Sequence, residues 1–284
     1  MKRDKKQILI FGTSYTGGFL TETLEKDYEI YQTSRKPENA NQIDFYNLDL
    51  IKKHINEAEV ILSTVPNDKE IDPVLYRYEE SIKKSNAKWI GYLSSTSVYG
   101  NHDGCWVKEN SNCKPHDDNS SNRLLIEKKW HNLFYNHEKP IHIFRLAGIY
   151  GPNRNPIERI KKGKNFTIIK DMHFFSRIHV EDICRILKAS IEKPNSGAIY
   201  NVCDEEPCPN NKVEQFAAKL LNIPKLKEIS YYDFKKNASE RLIKFYESNR
   251  KVDSRKVLSE LGIKLKYPNY REGLKEGCSK QYLL

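Results

Sequence analysis

The sequence predicts an α/β protein built on a doubly wound parallel sheet, with a smaller C-terminal region. Short apolar runs, such as "ILIF" at 8–11 and "VILSTV" at 60–65, alternate with helical stretches through the first half of the chain. These runs are continuously apolar, which is typical of parallel strands covered on both faces. The first run also leads directly into a glycine-rich turn and a helix. Alternation of this kind favours a doubly wound sheet.

The elements of the sheet are predicted in the first half of the chain. Strands are predicted at 7–11, 29–33, 42–45, 60–65, 88–94 and 141–146. Helices are predicted at 17–26, 49–57, 72–85 and 120–136. A long polar loop, 100–119, follows the fifth strand, and loops of this length inside a compact domain are more often functional than idle.

After Gly151 the pattern becomes looser. Helices are predicted at 156–162, 180–192, 211–222 and 254–261, and short strands at 166–169, 198–202 and 228–231. We therefore expect one domain at 1–150 and a smaller region at 151–284, partly interleaved with the sheet. Neither internal repeats nor low-complexity tracts are visible in the sequence.

The composition is that of an ordinary water-soluble chain, with 38% hydrophobic and 30% charged residues. The apolar runs are far too short to cross a bilayer. The N-terminal "MKRDKKQILIFG" carries the charges of a signal peptide, but its apolar stretch is too short for one. We expect a cytoplasmic protein that does not contact a membrane.

The net charge of +10 raises the question of an anionic partner. The lysines are dispersed, with local clusters only at 2–6 and 159–164, and neither cluster is interleaved with aromatic residues. This pattern favours solvated surface lysines over nucleic-acid binding.

The cysteines predict neither a metal site nor disulfides. There is no C-x-x-C pair and no histidine at metal-ligand spacing, so we expect reduced structural thiols. The six cysteines are Cys105, Cys113, Cys184, Cys203, Cys208 and Cys278.

The turn after the first strand predicts a Rossmann-type dinucleotide site. Gly12 and Gly17 occupy the first and third positions of a G-x-G-x-x-G fingerprint, and Ser14 takes the middle position. The N-terminus of the following helix presents free N–H groups and a positive dipole end to a pyrophosphate. Ser14 adds bulk, but its hydroxyl can donate to phosphate, and Gly18 gives further room. The alternative is a glycine-rich turn that binds no ligand.

The end of the second strand favours NADP over NAD. Proteins that bind NAD usually carry an acidic residue there for the ribose hydroxyls. This chain has Ser34, Arg35 and Lys36 instead, which suit a 2′-phosphate. The alternative is that Arg35 is a solvated loop residue.

Several segments in the same order resemble the extended short-chain dehydrogenase/reductase family, which includes nucleotide-sugar epimerases and dehydratases. Beyond the Gly12–Gly17 turn, they are "SSTSVYG" at 94–100, "FRLAGIYGP" at 144–152, "RIHVEDI" at 177–183, "IYNVCDEEP" at 199–207 and "DSRKVLSELG" at 253–262. The resemblance covers nearly the whole chain. It implies that 1–150 binds NAD(P) and that 151–284 binds the substrate.

The resemblance implies that Ser95 is the catalytic hydroxyl that hydrogen-bonds the reacting oxygen of the substrate. The family's general acid/base is a tyrosine in Y-x-x-x-K, and alignment of the helix starts puts Asn119 and Arg123 at these two positions. Neither can supply the lost proton transfer, because an amide does not titrate and an arginine stays charged. With these two replacements the chain resembles atypical members of the family, a bacterial group related to nucleoside-diphosphate-sugar epimerases. This resemblance implies that Ser95, Asn119 and Arg123 are the residues at the catalytic positions.

The resemblance also implies further contacts. The residues implied to contact the cofactor, besides those of the two fingerprints, are Tyr15, Thr16, Val65, Pro66, Arg123 and Leu146. The residues implied to bind the substrate are Thr96, Tyr99, Tyr150 and His179.

Other residues are candidates for the missing acid/base. His102, Asp103 and Glu109 lie in or beside the long loop, and His179 lies in "RIHVEDI"; for each, a structural role is the favoured alternative. A literal Y-x-x-x-K, Tyr135 to Lys139, falls at the far end of its helix, so we interpret it as a coincidence.

Three functions remain open at this point. The first is an NADP-dependent epimerase, dehydratase or reductase that acts on a nucleotide-sugar-like or other anionic small substrate. The second is a catalytically degenerate NADP-binding sensor or scaffold, suggested by the missing tyrosine and lysine. The third, nucleic-acid binding, rests on charge alone. The sequence does not decide between a monomer and a homodimer.

Overall fold

The computed structural model of the chain describes residues 5–279, together with their side chains apart from Arg241 and 277–279. The strands, in chain order, are β1 (Lys6–Phe11), β2 (Tyr28–Ser34), β3 (Gln42–Asp44), β4 (Val60–Ser63), β5 (Trp89–Ser95), β6 (Trp106–Val107), β7 (Ile141–Leu146), β8 (Gly148–Tyr150), β9 (Phe166–Ile169), β10 (Arg177–His179), β11 (Ile199–Val202), β12 (Lys227–Ser230) and β13 (Lys251–Val252).

The α-helices are α1 (Tyr15–Leu24), α2 (Leu48–Glu57), α3 (Pro73–Lys84), α4 (Asp118–His137), α5 (Pro156–Lys161), α6 (Val180–Glu192), α7 (Asn210–Leu220), α8 (Tyr231–Lys235), α9 (Glu240–Glu247), α10 (Arg255–Leu261) and α11 (Tyr270–Ser279). A 3₁₀ helix, Thr96–Tyr99, follows β5 directly.

The central sheet has seven parallel strands in the order β11-β7-β5-β4-β1-β2-β3. In its middle, Leu9 of β1 pairs with Tyr31 of β2 on one side and with Ile61 of β4 on the other. The strand order reverses between β1 and β4, which is the switch point of a doubly wound sheet, where ligands of such folds bind. The predicted α/β fold with a Rossmann-type parallel sheet is confirmed.

The strands of this sheet are buried because they are apolar along their whole length. β4 and β7 have no exposed residue, and β1 is buried from Ile8 to Phe11. Helices α2, α3 and α4 contribute Ile51, Tyr78 and Trp130 to the same core. Both faces of the strands are therefore covered, as the continuous apolar runs predict.

The chain divides into two compact units, and neither is a continuous segment. The first unit contains the residues up to Ser95, Asp118–Arg145 and Ile183–Tyr200. The second contains Thr96–Asp117, Leu146–Asp182 and the residues from Asn201 onward. These units do not coincide with a division at residue 150, because the segment after β5 belongs to the second unit and the chain returns to the first with α6.

The second unit is built from pairs of short strands and from helices. The strand pairs are β8 with β10, β9 with β12, and β6 with β13, all parallel. Its core includes Tyr150, Ile157, Ala217 and Leu274.

Several helix ends are set by side-chain caps. Helix α1 begins at Tyr15, two residues before the predicted start, because the Ser14 side chain accepts a hydrogen bond from the Gly17 N–H at 3.0 Å. Asp72 caps α3 in the same way, with Oδ1 accepting from Val74 N at 2.8 Å and from Leu75 N at 2.9 Å.

No helix among residues 5–279 combines the length and the apolar character that a membrane span requires. Cys105, Cys113, Cys184, Cys203 and Cys208 are not in disulfides, and the Cys278 side chain lies outside the described part of the chain.

Candidate functional site

The turn between β1 and α1 is shaped by glycines. Gly12 has φ +98°, and a Cβ there would lie 2.9 Å from Thr64 Oγ1 and 3.3 Å from Val65 Cγ2. At Gly17 a Cβ would meet Ser14 Oγ at 3.3 Å, whereas at Gly18 nothing lies within 4 Å. The turn therefore packs tightly against the end of β4 and leaves open space at the start of α1.

The neighbours of this turn are fixed by hydrogen bonds. Gly12 N donates to Thr33 Oγ1 at 3.0 Å, and Thr64 Oγ1 donates to Phe11 O at 2.9 Å. Gln32 presents a buried side-chain nitrogen, Nε2, that has no hydrogen-bond partner within residues 5–279. A Cβ at Gly17 would lie 3.5 Å from this nitrogen. An unsatisfied donor, a glycine turn and a helix N-terminus together fit the pyrophosphate of a dinucleotide.

The other residues predicted around this turn differ in exposure. Tyr15 is half-buried and packs edge-on against Phe19, with ring centroids 5.1 Å apart, whereas Thr16 is buried. Val65 is half-buried and Pro66 is exposed just after β4. Of these four residues, Thr16 is thus the one whose side chain is buried.

The end of β2 presents two cations. Ser34 Oγ donates to Lys36 O at 2.9 Å and accepts from Lys36 N at 3.1 Å, so its hydroxyl shapes the local turn. Arg35 and Lys36 are exposed, and neither makes an ion pair within the described residues. Both side chains are available to an anionic group.

The end of β5 is anchored by a buried ion pair. Ser94 Oγ donates to Glu127 Oε2 at 2.8 Å, and Arg145 Nε donates to both Glu127 carboxylate oxygens at 3.0 and 3.2 Å. Glu127 is 3% exposed and Arg145 is 4% exposed. The next residue, Ser95, is half-buried and ends the strand. Because consecutive side chains of a strand point to opposite faces, the Ser95 side chain lies on the face of the sheet opposite to that of Ser94.

Asn119 and Arg123 lie one turn apart on α4. Asn119 is exposed in the first turn. Arg123 is half-buried, and its Nη1 donates to Tyr92 Oη at 3.3 Å and to Leu93 O at 3.4 Å. Burial raises the pKa of Tyr92 to about 12, and the phenol is fully enclosed and stacked on Trp130. Tyr92 is not predicted from the sequence as the partner of Arg123, although its position in β5 ahead of α4 is a usable signal.

In the second unit, Tyr99 has a structural environment. It is fully buried, and its hydroxyl donates to Asn201 Oδ1 at 2.7 Å. Asn201 is held in turn by Glu109, whose Oε1 accepts from Asn201 N at 2.8 Å. Burial raises the pKa of Glu109. The carboxylate of this acid/base candidate thus already accepts a hydrogen bond from a backbone N–H.

Tyr150 and His179 lie together in paired strands β8 and β10. Tyr150 donates to Asn269 O at 3.4 Å, and burial raises the pKa of its phenol. His179 packs between Tyr150 and Tyr267, at ring distances of 5.1 and 4.0 Å, and its Nδ1 accepts from Glu181 N at 3.3 Å. Both side chains are nearly enclosed, as are those of Thr96 and Leu146.

The remaining candidates are engaged at the surface. His102 Nε2 lies 3.1 Å from Asn112 O, and Asp103 accepts from Asn101 Nδ2 at 2.7 Å. In the literal Y-x-x-x-K, Tyr135 is 66% exposed, whereas Lys139 Nζ donates to Ser85 O at 2.8 Å. The two side chains thus lie in different environments. Across the described chain, no group of three or more His, Cys, Asp or Glu side chains is arranged to hold a metal ion.

Comparison with known proteins assigns the family. Residues 76–203 match the model of the NAD dependent epimerase/dehydratase family. A solved protein of Silicibacter pomeroyi DSS, described as functionally unknown and conserved, is 35% identical with a TM-score of 0.88, over 97% of this chain and 99% of that one. The chain belongs to the NAD-dependent epimerase/dehydratase family. The resemblance to extended short-chain dehydrogenases/reductases is thereby confirmed.

Two further proteins show the range of similarity. Protein YeeZ of Escherichia coli K12 is 31% identical over 182 residues, which is 63% of this chain and 59% of YeeZ. The matched segment thus spans about three fifths of the length of that relative. The dTDP-glucose 4,6-dehydratase of Bacillus anthracis str. Ames, solved in complex with NAD, is 17% identical with a TM-score of 0.79, over 98% of this chain and 97% of that one. At this identity the likeness shows the fold alone.

Proposed function

We propose that the chain binds NADP(H) in its first unit and acts as an epimerase, dehydratase or reductase on a nucleotide-sugar-like or other anionic small substrate. Family membership supports a dinucleotide as the cofactor, and the name of the Bacillus anthracis relative supports a nucleotide sugar as the substrate. The net charge of +10 favours an anionic substrate. We retain the cytoplasm as the proposed location, and a monomer or homodimer as the proposed assembly.

The observation that carries the NADP proposal is the pair of free cations at the end of β2. Arg35 and Lys36 stand where an acidic residue would hold the ribose hydroxyls of NAD. A 2′-phosphate adds negative charge at that point, and a guanidinium binds phosphate oxygens through its fork of N–H donors. Gly12, Gly17, the N-terminus of α1 and Gln32 Nε2 would hold the pyrophosphate.

Bound NADP(H) would supply hydride transfer, and the chain would supply orientation and electrostatics. Ser95 is proposed to donate its hydroxyl proton in a hydrogen bond to the reacting oxygen of the substrate. Its position is rigid, because Ser94 fixes the end of β5 to the Glu127–Arg145 pair on α4 and β7.

Proton transfer is where this chain departs from its family. The Asn119 amide does not titrate, and a guanidinium does not act as a general base. Tyr92 contacts Arg123, but it is fully buried, with a pKa of about 12. This arrangement favours a second candidate function, an NADP-binding sensor or scaffold that retained the dinucleotide site and lost the acid/base.

One experiment on the purified chain separates these functions. NADPH and NADH are titrated by cofactor fluorescence, and a panel of UDP-, dTDP- and ADP-linked sugars is then assayed for product and for cofactor oxidation. Binding of NADPH with turnover supports the enzyme. Binding without turnover of any sugar nucleotide supports the sensor, and absence of binding to both cofactors overturns the proposal.

A further inference from the structure

We propose that Asp72 is the counter-charge of Arg123 and holds its guanidinium in place for the bound cofactor. Asp72 caps the start of α3, Arg123 lies in the second turn of α4, and both belong to the first unit. Asp72 is thus a positioning residue, which acts through Arg123. The inference rests on the proposed function, because it takes Arg123 as a residue that contacts NADP(H).

The charge of Arg123 is compensated by no carboxylate in direct contact. Within residues 5–279 the side chain forms no ion pair, and its two hydrogen bonds go to uncharged oxygens, Tyr92 Oη at 3.3 Å and Leu93 O at 3.4 Å. Both bonds are long for an N–H donor. Because Arg123 is half-buried, water alone compensates its charge poorly, so its position depends on opposite charges that are further away.

Asp72 is a buried carboxylate bound by three N–H donors. It is 3% exposed, its Oδ1 accepts from Val74 N at 2.8 Å and from Leu75 N at 2.9 Å, and its Oδ2 accepts from Trp130 Nε1 at 2.8 Å. Burial raises the pKa of Asp72, but the three N–H donors stabilise the ionised form and oppose that rise. The positive end of the α3 dipole compensates part of the negative charge. Asp72 forms no ion pair within the described part of the chain, so this charge also lacks a cation in direct contact.

Two stacked aromatic rings connect these opposite charges. Trp130 donates to Asp72, and Tyr92 accepts from Arg123. The two ring centroids are 5.6 Å apart, the rings are 14° from parallel, and both side chains are fully buried. A Coulomb attraction across such an apolar medium is screened far less than in water. The Arg123 charge accordingly opposes the rise in the pKa of Asp72 that burial causes.

Glu127 is a second carboxylate near the two rings, and its charge is already compensated. Burial raises the pKa of Tyr92, and the charges of Asp72 and Glu127 add to that rise. Glu127, however, forms the buried ion pair with Arg145. Of these two carboxylates, Asp72 is therefore the one whose charge is left for Arg123.

A guanidinium held in this way keeps donors for a ligand. Arg123 Nε and Nη2 have no hydrogen-bond partner within residues 5–279, and they can donate to phosphate or hydroxyl oxygens of the cofactor. A side chain that is already fixed loses less conformational freedom when the ligand binds, so the affinity is higher than with a mobile arginine. Loss of the Asp72 charge should therefore weaken cofactor binding through Arg123 and leave the other cofactor contacts intact.

The test is a double-mutant cycle on the full chain, with NADPH titrated by fluorescence. Asp72→Asn removes the charge and keeps the helix cap, because asparagine caps helices as well as aspartate does. It should weaken NADPH binding about fivefold, whereas in an Arg123→Met background the same change should have less than about a twofold effect, because residues that act together are not additive. Glu79→Gln makes the same charge change on α3, in a side chain paired with Lys83 at 2.8 Å, and should leave the NADPH dissociation constant unchanged. Equal weakening by Asp72→Asn in both backgrounds, or none in either, overturns the positioning role.

A second readout needs neither the cofactor nor a variant of Asp72. The pKa of the Asp72 carboxyl, followed by NMR of its carboxyl carbon, should be higher in Arg123→Met than in the unmodified chain, because the positive charge that opposes the rise is gone. Arg77→Met, which removes an exposed cation of α3, is the control and should leave this pKa unchanged. A pKa of Asp72 that Arg123→Met does not move overturns the counter-charge, whether or not NADPH binds. Failure of the unmodified chain to bind NADPH, with the shift in the pKa of Asp72 present, overturns the proposed function alone.

Discussion

Arg123 in α4 donates a hydrogen bond to the hydroxyl of Tyr92 in β5, over 3.3 Å. The cation at the position of the family's lysine thus does contact a tyrosine, but a buried one, whose phenol has a pKa of about 12. Such a tyrosine is a poor base at neutral pH. The Nη2 and Nε groups of Arg123 make no hydrogen bond within residues 5–279, so the guanidinium retains donors for a ligand.

The first prediction separates these two roles of Arg123. Arg123→Met should weaken NADPH binding about tenfold, because a charged hydrogen bond to the cofactor is lost. Tyr92→Phe removes only the internal contact and should leave the NADPH dissociation constant unchanged. Fluorescence titration of both variants is the measurement. Equal weakening of NADPH binding in both variants would mean that Arg123 acts through its contact with Tyr92 and does not contact the cofactor.

The second prediction concerns cofactor choice. Arg35→Glu should weaken NADPH binding far more than NADH binding, because a carboxylate repels the 2′-phosphate and can hold ribose hydroxyls. Lys52→Glu, an exposed lysine of α2, makes the same charge change away from β2 and serves as the control. Parallel titrations with both cofactors give the ratio. A ratio that Arg35→Glu leaves at its original value would exclude Arg35 as the 2′-phosphate ligand.

The third prediction concerns the end of β5. Ser95→Ala should leave NADPH affinity nearly unchanged and lower turnover about a hundredfold or more, as the loss of one oxyanion donor does elsewhere. Ser97→Ala, a half-buried serine two residues later, is the matched control. The assay is product formation on any sugar nucleotide that the chain converts. Full activity of Ser95→Ala would remove Ser95 from the reaction.

The sheet could be predicted from sequence because its strands are apolar throughout and alternate with helices. The predicted strand at 141–146 has the same bounds as β7, and that at 60–65 covers β4. The short strands β6 and β13 were missed, since each has only two residues and pairs with a partner more than a hundred residues away. Pairing over such a separation leaves no local pattern.

The site was less predictable than the fold. The Gly12 turn and the cations after β2 are local features, and sequence spacing suffices to find them. The environment of Tyr99 is different, because Asn201 and Glu109 come from distant segments. Burial of this kind depends on tertiary packing, so residues that resemble a substrate pocket in sequence can be engaged by the protein itself.

The fourth prediction concerns the buried pair behind Ser94. Glu127→Gln should lower the free energy of unfolding by about 3–5 kcal/mol, because it leaves the Arg145 guanidinium buried without its counter-charge. Urea unfolding monitored by circular dichroism is the measurement. Glu80→Gln, in the exposed pair with Lys83 on α3, should leave the urea midpoint unchanged. A small effect of Glu127→Gln would mean that water or another group compensates Arg145.

The last prediction is a pH dependence of stability from His142. This histidine is fully buried in β7, its ring stacks on Trp89 at 5.2 Å, and its Nε2 accepts from Asn195 N at 3.1 Å. Burial lowers the pKa of His142 to about 4, below the unfolded value of about 6.5. Between these two pH values His142 is protonated in the unfolded chain and neutral in the folded chain.

The stabilising contribution of the neutral ring is therefore complete above pH 6.5 and is lost as the pH falls to about 4, by on the order of 3 kcal/mol. His142→Phe should be less stable at pH 8, because Asn195 N loses its acceptor, yet its stability should fall less steeply between pH 6.5 and 4. Urea midpoints across this range test the slope, with exposed His137→Gln as the control. An unchanged slope in His142→Phe would place the acid-sensitive group elsewhere, with His173 as the next candidate because its burial has the same effect.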